Sequence, residues 1–217
     1  MSIKIDLKII LFGIFFFVAK QLNDYLLVLF FALCHECVHI IVALGCGVNP
    51  AILTINPFGC SVSFIHKQID YDRKVLNGNV TDVKKIIIYM VGPVFNLVFA
   101  ILANMLRSSS NIVYVNLGLF LFNLLPVYPL DGGRIIKSSL QLMFGRKIAY
   151  KMILKISKFF SIVTLVCGSF LILKYNNIGI LFICVYVFWL NIKASKILKI
   201  KLRVVEIIEK KEDPVYK

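Results

Sequence analysis

Phe30-Phe31-Ala32-Leu33-Cys34-His35-Glu36-Cys37-Val38-His39-Ile40-Ile41-Val42 sets three proton-active side chains inside an apolar run, residues 25 to 44. That run is long enough to cross a bilayer as a helix, which takes about 20 residues. On a helix His35 and His39 stand one turn apart on one face, and Glu36 lies about 100° round from His35. This is the H-E-x-x-H spacing, in which two imidazoles ligate zinc and the glutamate acts as general base.

Composition places the motif in a membrane protein. Of 217 residues, 59% are hydrophobic and the mean hydropathy is +0.87, against about 45–50% apolar in a soluble domain. The net charge of +14 does not point to nucleic acid, because the basic residues lie between apolar runs rather than in one soluble patch. The fold class expected is an all-α membrane protein. Its six transmembrane helices lie near residues 7–19, 25–44, 86–106, 112–130, 157–173 and 178–192. The polytopic domain is taken as residues 1–198, and 199–217 as a charged cytoplasmic tail. The first twenty residues have a basic start and an apolar centre, but Val18-Ala19-Lys20 is a poor cleavage site, so this span is read as retained.

Assigning alternate loops to opposite sides separates the charges. Only Lys20, Arg107 and Lys174 fall on one side and every other Lys and Arg on the other, so both termini are expected in the cytoplasm. Between the second and third spans, Ile52–Ile55 and Ser61–Ile65 are β-prone runs separated by the turn signal Asn56-Pro57-Phe58-Gly59. A short hairpin or re-entrant element at the cytoplasmic edge is expected there. It can enter the bilayer only where protein or a wet cavity satisfies its backbone.

A catalytic zinc generally takes three protein ligands and keeps one position open. His66, beside Lys67 in a loop, is one candidate for the third. Asp131 is the better one, at the cytoplasmic end of a span running in the same direction as the span of His35 and His39. Pro126 and Pro129 break the helix before it, and Gly132-Gly133 free the backbone after it. The alternative is that Asp131-Gly132 is merely a turn. In the third span Gly92 and Asn96 share a face in the same half of the membrane, serving either helix packing or the site. Asn123 lies about two turns before Asp131. Cys34 and Cys37 make one C-x-x-C, read as ordinary helix residues rather than a redox pair.

His35-Glu36-Cys37-Val38-His39, Gly92-Pro93-Val94-Phe95-Asn96, and Asn123 with Pro129-Leu130-Asp131-Gly132 resemble the motifs of the site-2 family of intramembrane zinc metalloproteases. The six-span layout resembles the branch of that family that processes a sporulation sigma factor. The resemblance implies one Zn2+ per chain, held by His35, His39 and Asp131, with Glu36 as the catalytic base. It also implies that Gly92, Asn96, Asn123 and Pro129 bind substrate or support the ligands. The expected partners are a membrane-associated protein substrate, such as a sporulation pro-sigma factor, inhibitory membrane proteins, and the lipid bilayer. The expected location is a bacterial cytoplasmic membrane, specifically the mother-cell membrane around the forespore. No CBS or PDZ domain is expected within these residues, so nucleotide regulation is not carried over. The competing functions are a metal transporter, a protease acting on an anti-sigma factor, and an inactive scaffold.

The charge pattern predicts that reporter fusions after residues 108 and 140 report opposite sides of the membrane. The same location for both would overturn the topology.

Overall fold

The computed structural model describes residues 2–18, 20–56, 59–64, 76–175 and 178–212, and is mostly helical. It divides into two units, Met1–Asn123 and Leu124–Lys217.

The first unit is organised on α2 (Leu22–Gly45), whose 24 residues make a rod about 36 Å long. Asp24 in its first turn complements the helix dipole. Its end is closed by Gly47, whose φ of 75° is open to glycine. Gly47 N–H donates to the Leu44 carbonyl at 3.0 Å and Val48 N–H to the Ala43 carbonyl at 2.8 Å, the paired bonds of a Schellman motif. Lys84 adds a charged donor, with Nζ 2.9 Å from the Cys46 carbonyl.

β2 (Pro50–Asn56) and β3 (Gly59–Phe64) pair antiparallel, with Leu53 opposite Val62 and Ile55 opposite Cys60. β1 (Ser2–Ile5) adds a parallel strand, Ser2 opposite Ile52 and Ile5 opposite Ile55, giving the order β1-β2-β3. This parallel pairing was not expected from the sequence. It requires the chain to leave the sheet through α1 (Lys8–Val18) and return through α2. The lengths agree. Four extended residues, a two-residue link and eleven helical residues span about 36 Å, the length of α2. Because β2 begins five residues after α2 ends and the sheet packs back on α2, the strands lie along the half that carries His35 and His39.

α3 (Leu76–Met105) packs on α2 and on α4 (Ser110–Asn123). Phe31 of α2 meets Phe99 of α3 with ring centroids 5.0 Å apart.

In the second unit, residues 124–130 are irregular and lead into α5 (Asp131–Tyr175), which is interrupted at Gly145 (φ 78°, ψ 171°). α6 (Ile178–Glu212) runs back along α5. The α5 seam is Ala149, Ile153, Ser157 and Ser161, spaced by four. The α6 seam is Cys184, Val187, Asn191, Ala194 and Leu198, spaced alternately by three and four. All are buried, and the small residues on α5 let the two backbones approach closely.

Among the described residues, three helical stretches are long and apolar enough to cross a membrane: Leu22–Gly45, Asp82–Met105 and Asp131–Ser169. The remaining expected spans differ in detail. α1, at eleven residues, reaches only about 16 Å, half a bilayer core. The expected fourth span, 112–130, is helical only to Asn123, because a residue before proline is driven out of the α region and Pro126 and Pro129 follow closely. The expected fifth span, 157–173, lies inside α5. The expected sixth begins on α6 residues whose side chains lie outside the described set. His66 and the Pro57-Phe58 turn also lie outside the described residues.

Candidate metal centre

His35 and His39 are each 2% exposed, and their rings meet nearly edge to face with centroids 4.7 Å apart. Their Nε2 atoms are 3.1 Å from each other. Nδ1 of His39 lies 2.6 Å from the backbone carbonyl of Ile88 on α3. A carbonyl only accepts, so Nδ1 carries the proton, and in the neutral ring Nε2 of His39 is the lone pair.

The spacing suits a metal ion. Two nitrogens each about 2.0–2.1 Å from a tetrahedral zinc lie about 3.3–3.4 Å apart, close to the separation present. Gly92 supplies the space. A Cβ built on it would lie 2.5 Å from Nε2 of His39 and 2.6 Å from both Nε2 and Cε1 of His35. Any side chain at this position would fill the point on which the two nitrogens converge. The space that Gly92 leaves open is thus the space beside the two Nε2 atoms. One turn further along α3, fully buried Asn96 places Nδ2 3.0 Å from Nδ1 of His35.

Glu36 is half-buried on α2 beside His35. Cys34 is half-buried and Cys37 exposed, and both are free thiols. Asn123 is the last residue of α4 and half-buried.

In the second unit Asp131 is the first residue of α5 and 6% exposed, where a carboxylate faces the positive end of the helix dipole. The irregular segment before it is tightly built. A Cβ on Gly132 would collide with the Leu124 carbonyl, and one on Gly133 would come within 2.5 Å of Tyr128 N, so the first turn of α5 sits directly on this segment. Pro129 follows a cis peptide bond in the same segment. Tyr128 N–H donates to Ser157 Oγ at 2.9 Å. Asn191 Nδ2 donates to the Ser157 carbonyl at 3.2 Å, and Ser195 Oγ to Asn191 Oδ1 at 3.2 Å. A polar relay on the α5–α6 seam thus holds the segment that delivers Asp131. Sequence reasoning missed Ser157, Asn191 and Ser195. The available signal was an isolated amide in the apolar stretch around Trp189 and Leu190.

Two imidazoles and a carboxylate form a zinc donor set; the first unit carries His35 and His39 and the second carries Asp131. Residues 105–168 match the sequence profile of Peptidase family M50. The fold is similar to that of a site-2 protease from Methanocaldococcus jannaschii, with a TM-score of 0.65 at 20% identity over 89% of this chain and 90% of that one. No curated protein sequence matches the chain.

Replacing Gly92 by alanine should abolish stoichiometric zinc binding while leaving the helices folded, as measured by metal content of purified protein and circular dichroism. Full zinc occupancy in Gly92→Ala would show that the ion does not sit between the imidazoles.

Proposed function

We propose that this chain is an intramembrane zinc metalloprotease that hydrolyses a peptide bond in or near a membrane segment of its substrate. The observation that carries this reading is the pair of buried imidazoles whose Nε2 atoms converge beside Gly92. The M50 match and the site-2 protease fold support it. All six helices are taken to lie in the membrane, with both termini in the cytoplasm.

His35, His39 and Asp131 would hold the ion. Bound there, zinc supplies Lewis acidity that polarises a carbonyl and lets water ionise near neutral pH. Glu36, on the same helix as the two histidines, takes the proton of the attacking water and returns it to the leaving amine. A helical substrate hides its peptide bonds in its own hydrogen bonds and must unwind before attack. Among the described residues β3 is an edge strand in the order β1-β2-β3, and its outer edge offers main-chain partners to an unwound segment. Asn123 and Pro129 are assigned to contacts with that extended chain. The substrate is a membrane-associated regulatory protein. A sporulation pro-sigma factor is the specific case suggested by the six-span layout without a domain inserted between the second and third spans.

Glu36→Gln should keep zinc and lower cleavage of a membrane substrate by about 10²–10⁴-fold, the usual contribution of general acid–base catalysis. Retained cleavage would remove Glu36 as the base. Asp131→Ala should lose zinc, measured by metal analysis after dialysis, and a fully metallated, active variant would remove Asp131 as a ligand.

A further inference from the structure

We propose that Asn96 is a positioning residue for His35, and that its amide turns over when the metal centre is loaded. This rests on the metalloprotease reading above and adds to it the device that prepares one ligand.

The reasoning starts from the bonds of the two rings. His39 has its proton on Nδ1, committed to the Ile88 carbonyl, so its Nε2 can only accept. Nε2 of His35 stands 3.1 Å away, a hydrogen-bond distance, and between two neutral rings that bond needs the proton on Nε2 of His35. His35 Nδ1 is then a lone pair, and Asn96 presents Nδ2 to it at 3.0 Å. The arrangement is self-consistent: Asn96 N–H to His35, His35 N–H to His39, His39 N–H to the Ile88 carbonyl. It also leaves Asn96 Oδ1 buried with no hydrogen-bond partner, in a residue with no exposed surface. A buried acceptor left without a partner is destabilising.

That tautomer cannot ligate through Nε2 of His35. Ligation through Nε2 requires the proton on Nδ1 with no change in the number of protons on the ring, and an Nδ1–H needs an acceptor where Nδ2 now stands. Rotation of the Asn96 amide by half a turn presents Oδ1 to that N–H. Asn96 thus suits either state of His35 because it carries a donor and an acceptor on one planar group. A metal-binding imidazole is commonly held in orientation by an acceptor on its other nitrogen. Asn96 fills that role for His35, as the Ile88 carbonyl does for His39. The latter is a fixed backbone acceptor, so only His35 has an adjustable partner.

The test is zinc affinity, measured by chelator competition on detergent-purified wild type, Asn96→Leu and Asn96→Asp, with the d–d absorption of the cobalt-substituted proteins as a second readout. Asn96→Leu should weaken zinc binding about 10–100-fold, the usual cost of losing such a support. Asn96→Asp, whose side chain offers oxygen alone, should bind within a few-fold of wild type and keep its cobalt spectrum. Undiminished zinc affinity in Asn96→Leu overturns the proposal, as does an Asn96→Asp variant as weak as Asn96→Leu. Full metal occupancy with lost kcat assigns Asn96 to substrate instead. A wild-type chain that binds no zinc would sink the metalloprotease reading itself, an outcome distinct from all of these.

Discussion

The hydrogen bond from Nδ1 of His39 to the Ile88 carbonyl sets the terms for the first unit. An imidazole buried in an apolar helix bundle must have every polar atom accounted for, because no water compensates it. One nitrogen is satisfied by backbone from α3, and the other is thereby held as a lone pair facing His35. For that carbonyl to come within reach, α3 must lie against α2 at the level of the histidines, which Gly92 permits by presenting no side chain to them. Pro93, next in sequence, lacks the N–H that would bond the Tyr89 carbonyl, so this turn of α3 has one intrahelical bond fewer.

The second unit solves a different problem. A carboxylate at the start of a helix is placed by the segment before it, and an irregular segment is precise only when its backbone is held. Here Ser157 holds Tyr128, the first turn of α5 closes on residues 124–128 through Gly132 and Gly133, and Asn191 steadies Ser157 from α6. The polar side chains of the α5–α6 seam are therefore tied to the irregular segment that leads into Asp131.

The candidate ligands were legible because chemistry constrains their sequence spacing: residues four apart share a helix face, and an ionisable group in an apolar run demands a function. Gly92 and Asn96 stood out for the same reason, but whether they served packing or the site was left open by spacing alone. β1 was not legible. Ser2–Ile5 alternates polar and apolar residues, but four residues are too few to mark a strand by themselves, and its pairing depends on where α1 and α2 return the chain. The extent of the fourth helix was also misjudged, because an apolar run through residue 130 outweighed the local veto of Pro126 and Pro129.

By itself the sequence determined that this is a membrane protein with an H-E-x-x-H helix and an aspartate on a later, proline-broken segment, because hydropathy, helical period and the chemistry of proline are local properties. Only the tertiary structure decided which atoms serve the histidines: the Ile88 carbonyl, the absent side chain of Gly92 and the amide of Asn96. Those assignments come from α3, between 49 and 61 residues away along the chain, and depend on how closely two helices approach and in what register. That distance is set by packing, and no local pattern encodes it.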